Sequence, residues 1–310
     1  MIPIVIIGSG IAGLACARRL VAAGQTPLLL DKGRGIGGRV ATRRVADMQF
    51  DHGAQFVTAQ NASFATTLGT LDAAGVVATW ATGPDDRRKV GTPGMSALPK
   101  ALGSGLDIRQ NVQVSRIEQH PTGWALHLAD CVLQAQRVVV TVPAPQIAGL
   151  LGPEHPLVAA LHPVQMAPCL TLMAATTTPP PFSLRQDPDD PLSWIAQDNS
   201  KPGRPQGTGA LWVAQANQAF SQTHLEQDAA AIASAMLPLL CDRLGISQDR
   251  VTYASAHRWR YARVTQALGQ PFLAAPGGTL YLGGDWCLGA RVEAAWDSGT
   301  AIADAILAEG

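Results

Sequence analysis

The chain has 310 residues, enough for about two domains of roughly 150 residues each. An apolar fraction of 47%, a charged fraction of 15% and a formal net charge of zero fit a compact protein with a sizeable core. Its basic residues are scattered, which argues against nucleic acid or an anionic membrane as a partner.

The five cysteines, Cys16, Cys131, Cys169, Cys241 and Cys287, are far apart and never form a C-x-x-C pair. That spacing argues against a disulfide framework or a metal site and predicts a reducing, cytoplasmic setting. The apolar N-terminus lacks the basic flank of a signal peptide, and no run reaches the ~20 apolar residues a membrane helix needs.

The first forty residues organise the rest. An apolar run, Ile2 to Ile7, turns through Gly8-Ser9-Gly10-Ile11-Ala12-Gly13 into a segment of good helix formers, and a second apolar run, Leu28 to Leu30, ends on Asp31. Strand, glycine turn, helix, strand and acid in that order predict a dinucleotide-binding βαβ unit. Gly8 makes the tight turn, Gly10 lets the pyrophosphate approach, and Gly13 lets helix and strand pack closely. The phosphates would lie on the helix N-terminus at Ile11 and Ala12, and Asp31 would accept ribose hydroxyls.

The stretch after Asp31, from Lys32 through Gly33, Gly35, Gly37 and Gly38 to Arg39, is too glycine-dense for regular structure. It predicts a phosphate-side loop, with Arg39 reaching the pyrophosphate or a ribityl chain. In Asp51-His52-Gly53-Ala54-Gln55, small residues would let backbone approach a flat ring, and His52 reads as an ordinary hydrogen-bonded histidine.

Residues 61 to 90 predict a polar-faced helix and a short strand near Val76 to Trp80, with the charges from Asp85 to Lys89 on a solvated turn. Pro93-Gly94 marks a turn, and Ser96 begins a helix. Between Leu106 and Pro145, alternating apolar residues predict a hairpin about Pro121-Thr122-Gly123, then a buried strand ending at Val138 to Val140.

From about residue 149, Pro/Gly-rich loops separate short alternating strands, which predicts an antiparallel sheet inserted into the first domain. Thr223 and Glu226 have capping-box spacing before a helix bearing Leu225, Ile232, Met236 and Leu240 on one face, which Pro238 should kink or shorten. His257, Trp259 and Tyr261 alternate with Arg258 and Arg260, so on a strand the aromatic and basic groups face opposite ways. A last strand, Leu280 to Leu282, meets Gly283-Gly284-Asp285, and an alanine-rich helix follows from about Val292.

The combination GSGIAGL, DKGRGIGGR and DHGAQF resembles the flavin amine oxidase superfamily. The resemblance implies an α/β fold: a Rossmann-type FAD-binding domain carrying an inserted α+β substrate domain built on an antiparallel sheet. The division expected is 1–60, 94–148 and 275–310 for FAD, with 61–93 and 149–274 for substrate. It also implies non-covalent FAD with the backbone at Val114 against adenine, Asp285 on the ribityl hydroxyls, and the last helix, at Arg291 and Val292, aimed at the flavin ring. The expected cofactor residues are thus Gly8, Gly10, Ile11, Ala12, Gly13, Asp31, Lys32, Gly38, Arg39, Ala54, Gln55, Val114, Gly284, Asp285, Arg291 and Val292.

Within the superfamily the chain is most similar to the bacterial renalase-like group, through PLSWIAQDNSKPGR, AHRWRYAR and GGDWCLGARVEAAWDSG. Two departures from the wider pattern matter. Gly33 stands where many members carry a second basic residue after the ribose acid, with Arg34 displaced by one, which leaves the adenosine contacts of this loop open. The substrate-strand lysine of amine oxidases has no counterpart, since Lys201 alone lies in the inserted domain and sits in a Pro/Gly loop.

The resemblance implies oxidation of 2- and 6-dihydro-NAD(P) to NAD(P)+, with hydride passed to flavin and O2 reduced to peroxide. Amine or other small-molecule oxidation is the alternative, and a non-catalytic flavin-binding redox sensor is a third. Trp194, Trp286 and Trp259 are candidates to wall the donor ring, His257 is a candidate active-site group, and Lys201, Arg204 and Arg258 are candidates to meet substrate phosphates. No metal is expected.

Overall fold

The computed structural model describes residues 1–82, 87–207 and 209–309. Ile2–Ile7 is a central strand of an eight-stranded sheet. Its parallel neighbours are Val132–Val140 on one side and Leu28–Leu30 on the other, with Leu280–Leu282 and Asp107–Arg109 beyond them. The hairpin Arg116–His120 and Gly123–His127 adds antiparallel to Val132–Val140, and Leu273–Ala274 pairs with Leu280–Leu282 at the far edge.

Successive strand residues enter different cores because side chains alternate across a sheet. Ile4, Ile6, Leu29, Val139 and Tyr281 pack with the helices Ile11–Ala22 and Val292–Ala308. Val5, Ile7, Leu28, Leu30, Val138 and Val140 pack on the other face with Ile147 and Leu150 of the helix Ala144–Leu151. The two long helices touch backbone to backbone: a Cβ at Gly299 would stand 2.0 Å from the Ala12 carbonyl oxygen, so only glycine permits this approach.

The second sheet is antiparallel, in the order Leu184–Gln186, Trp194–Gln197, Ala210–Gln215, Gln165–Thr176, Val251–Gln266. One face, through Leu170, Leu172, Trp212 and Ala214, packs on Ile232, Met236 and Leu240 of the helix Ala229–Leu244. The other face turns toward the first sheet's loops. Phe64, Leu68 and Trp80, from the segment 61–93, share a core with Ile4 and Leu14, and Trp194 joins them.

Two local expectations are corrected. Thr223 and Glu226 do not open a helix: Thr223 ends Gln218–Thr223, with its hydroxyl on the Ala219 carbonyl, and the next helix is capped by Asp228, whose Oδ1 accepts from Ala231 N at 2.8 Å. That helix runs sixteen residues and carries Pro238 inside it. Lys89 is not on a solvated turn but in the strand Lys89–Gly91, its Nζ 2.6 Å from Asp72; Asp85 and Asp86 lie outside the described residues. No helix among the described residues is long and apolar enough to cross a membrane.

Candidate functional site

A cleft of about 1720 Å³ runs from the first βαβ unit, between the two sheets, to the outer strand of the second. This exceeds the roughly 300–1,000 Å³ of an ordinary small-ligand pocket. Its first end is lined by Gly8, Gly10, Ile11, Ala12, Asp31, Lys32, Gly38, Arg39, Val114 and Asp285.

Local geometry suits this end to a dinucleotide. Gly8 has φ +105°, and a Cβ at Gly13 would stand 2.0 Å from Gly8 O, so the turn closes only with glycine at both places. No side chain caps the helix Ile11–Ala22, leaving its first N–H groups free for an anion. Val292–Ala308 is uncapped as well and opens on the same cleft at Arg291 and Val292. Two unclaimed helix N-termini, a glycine turn and an acid after the second strand are a donor set suited to a flavin adenine dinucleotide.

Asp31 is held in place from within. Its Oδ2 accepts from Ser9 N and Ser9 Oγ, both at 2.6 Å, and its Oδ1 from Gly33 N at 2.7 Å. Further lone pairs remain for a ribose. Arg39 and Asp285, distant in sequence, meet: Nη1 donates to Oδ2 at 2.8 Å and Nη2 to Oδ1 at 2.6 Å. Lys32 reaches Gln146 Oε1 at 3.2 Å, and Arg291 bonds Gln60 Oε1. Gly284 lies at φ +154° and donates its N–H to Ser298 Oγ at 2.9 Å. Ala54 and Gln55 line the cleft midway, with the Gln55 amide turned back onto Asp51 O, Gly53 O and Lys201.

The far end is lined by Phe56, Cys169, Gln186, Trp194, Gln215, Asn217 and the strand stretch His257 to Tyr261, and the strand then runs back to the first end, where Ala262 O accepts from Arg39 Nη1 at 2.9 Å. Trp194 packs against Phe56, ring centroids 5.6 Å apart, and its indole N–H is buried without a partner. Gln215 donates to Gly53 O at 2.7 Å, fixing the flat-ring loop to the second sheet. His257 and Trp259 form a cluster with His52, with centroids 4.3 to 5.3 Å apart, and Trp259 Nε1 donates to His52 O at 2.7 Å. Burial first, then the positive charges of Arg43 and Arg258, push the His257 pKa down to about 4. His52 is likewise depressed to about 4, by burial and then by His257 and Arg43, partly offset by Asp51.

Of the sequence candidates, Gly13, packed on Gly8 O, does not line the cleft, and neither do three of those expected at the substrate end. Trp286 is fully buried: after Gly284 a short 3-10 turn folds it into the second core, its Nε1 donating to Val142 O at 3.1 Å. Lys201 and Arg204 are also buried, 1% and 4% exposed, because the loop that carries them turns inward onto two carboxylates. Lys201 Nζ lies 2.7 Å from Asp198 and 3.2 Å from Asp51, and Arg204 Nη2 lies 2.5 Å from Asp51. Burial works to raise the Asp51 pKa, but Lys201 and Arg204 overcome it and hold the group below the ordinary carboxylate range. Asp198 is pushed up, by burial and by the neighbouring Asp51 charge.

Sequence reasoning missed this quartet, although Asp198 and Lys201 stand at a legible i,i+3 spacing. It also missed Ser9, Gln215 and the ion pair of Arg260 with Glu226, which nothing local announces. Among the described residues no group of His, Cys, Asp and Glu converges as a metal site.

The profile of the family described as flavin containing amine oxidoreductase matches residues 74–307, more than half of the chain. The chain belongs to that family. Residues 6–67 match the NAD(P)-binding Rossmann-like domain, which covers the βαβ unit and the loop through Gln55.

The fold is shared with solved relatives of low identity. A protoporphyrinogen-oxidase-like protein from Exiguobacterium superposes with a TM-score of 0.78 at 14% identity, covering 100% of this chain and 99% of that one. Cyclohexylamine oxidase from Brevibacterium oxydans gives 0.73 at 15%, and putrescine oxidase bound to putrescine gives 0.72 at 14%, each covering 99% of both chains. As a flavin-containing amine oxidoreductase the chain is a flavin-dependent oxidoreductase.

Proposed function

We propose that this chain is an FAD-dependent oxidase of dihydronicotinamide isomers, 2- and 6-dihydro-NAD(P), which it returns to NAD(P)+ with O2 reduced to hydrogen peroxide. The observation that carries the reading is the chemistry of the far end of the cleft. Among the described residues, the carboxylates lining the cleft are Asp31 and Asp285, both at the cofactor end, and Lys32, also at that end, is the lining lysine. A protonated amine brought to Trp194 would meet no lining carboxylate, and the charges that the outer strand contributes to the cleft lining, Arg258, Arg260 and Arg263, are all positive. A neutral, flat dihydropyridine on an anionic tail suits that surface.

Non-covalently bound FAD would supply the hydride acceptor and the route for electrons to O2. This chain's residues do the rest. Trp194 and Phe56 would wall the donor ring, while Gln186 and Gln215, each with one amide bond in place, retain hydrogen-bonding capacity for a ring carboxamide. His257 stays neutral at neutral pH, in keeping with a reaction in which hydride loss alone yields the aromatic pyridinium and no ring proton needs a base. Cys169, its thiol pushed up to about 11 chiefly by burial, is a poor nucleophile, consistent with a flavin that is not tethered there.

The test is product analysis in air: each dihydro-NAD(P) isomer should give equal amounts of NAD(P)+ and peroxide, whereas primary amines should give no aldehyde. Rapid aldehyde formation without turnover of either isomer would replace this reading with amine oxidation.

A further inference from the structure

The stretch His257 to Arg263 lies on the outer strand of the antiparallel sheet and borders the cleft. Alternate side chains leave opposite faces. His257 and Trp259 pack toward His52, whereas Arg258 and Arg260 reach the loop between the helices Gln218–Thr223 and Ala229–Leu244.

There the two arginines grip three consecutive residues. Arg258 Nη1 donates to the carbonyls of Leu225 at 2.7 Å and Gln227 at 3.3 Å. Arg260 holds Glu226 bidentately, Nη1 to Oε1 at 2.7 Å and Nη2 to Oε2 at 2.8 Å. The short helix leading into this loop starts beside Asn217, Gln218 and Ala219, which line the cleft.

The charge balance at this clamp is uneven. Carbonyls satisfy a guanidinium's donors without neutralising it, and among the described residues neither Arg258 nor Arg263 forms an ion pair. Glu226 is the carboxylate that answers Arg258 and Arg260. Its pair with Arg260 is exposed, with side-chain exposures of 75% and 40%, and such pairs contribute little and are screened by salt. A diphosphate offers a guanidinium the same bidentate geometry with more charge.

We infer that the loop 224–228 is an electrostatic strap held beside the cleft on two arginines that line it, in which Arg258 and Arg260 form the subsite for the diphosphate of a dinucleotide substrate and Glu226 occupies Arg260 until that diphosphate displaces it. The inference rests on the dihydronicotinamide reading for its substrate, while the anion subsite follows from the arginines themselves. Substrate binding then exchanges one partner of Arg260 for another. The strap selects dinucleotides over ribosides that carry the same reactive ring.

The test uses the flavin-loaded protein and two donors with one ring, 6-dihydro-NAD and the corresponding dihydronicotinamide riboside, which lacks phosphate. Dissociation constants are read from anaerobic flavin bleaching for wild type, E226Q and R260Q. The dinucleotide-to-riboside ratio of Kd should rise about tenfold or more in R260Q, the scale of one lost charge-assisted contact. It should fall about two- to threefold in E226Q, the scale of an exposed ion pair. A ratio equal to wild type in both variants overturns the strap.

Calorimetric titration with inorganic pyrophosphate separates the subsite from the reaction. If neither donor bleaches the flavin, the functional reading fails, and pyrophosphate alone decides: tighter binding to E226Q and weaker binding to R260Q keep the subsite. Equal binding to all three proteins removes it.

Discussion

Arg39 and Asp285, 246 residues apart in sequence, are joined by a bidentate ion pair, and Arg39 Nη1 also donates to Ala262 O at 2.9 Å. One guanidinium thereby ties the glycine loop after the βαβ unit to the Gly283-Gly284-Asp285 turn and to the outer strand of the second sheet. Arg39→Lys cannot reproduce a planar fork bonded to three oxygens. We expect Arg39→Lys and Asp285→Ala each to lose about 2 kcal/mol of stability, the scale of charge-assisted hydrogen bonds, and to purify with less flavin. Flavin-to-protein ratio and thermal melting check this, and full flavin content in both variants would show the pair to be dispensable.

The quartet of Asp51, Asp198, Lys201 and Arg204 should behave as structure rather than as a substrate site. Removing one partner of a buried ion pair typically costs about 3–5 kcal/mol, because the remaining charge is left uncompensated. Lys201→Met should therefore unfold at much lower denaturant concentration. The folded fraction should bind donor with near wild-type affinity, since Lys201 does not line the cleft. A large rise in donor Kd with unaltered stability would return Lys201 to the site.

Two tryptophans that look alike in sequence should separate cleanly. Trp194→Ala should slow flavin bleaching by about tenfold or more while leaving flavin bound, because it removes a wall of the donor site. Trp286→Ala should not slow bleaching of the folded fraction, while each variant should lose roughly 3–5 kcal/mol of stability, because Trp194 packs in a core as well. Stopped-flow reduction and denaturant titration on both variants decide it.

His52 and His257 give a pH dependence of stability with a definite sign. Both have folded pKa values near 4, below the ordinary 6.5, so between those values the unfolded chain binds protons that the folded chain does not. Their contribution is fully present above about pH 6.5 and is lost as pH falls toward about 4. The unfolding midpoint of His257→Asn should fall less steeply over that window than that of wild type, and parallel profiles would remove His257 as a cause.

What was legible in the sequence is what is encoded locally. The turn from Gly8 to Gly13 and the acid at Asp31 announce themselves because one strand, one helix and one turn impose their residue types. The alternation at His257 to Arg260 fixed which groups share a face, and the structure sends them to opposite sides of the strand. Relations that close over long range were not legible. Gly299 resembles any helical glycine until the Ala12 carbonyl is found against it, and Lys201 and Arg204 resemble phosphate ligands until Asp51 is placed beside them. The spacing of Thr223 and Glu226 imitates a cap, whereas Glu226 serves Arg260.

The central claim is that the far end of the cleft takes a dihydropyridine and not an amine. Anaerobic mixing of the flavin-loaded protein with 2-dihydro-NAD, 6-dihydro-NAD, ordinary NADH and a primary amine, followed at the flavin's visible band, tests it most directly. Rapid bleaching by one or both isomers, with little by NADH or by the amine, is the predicted result. Fast bleaching by the amine, with none by either isomer, would contradict it.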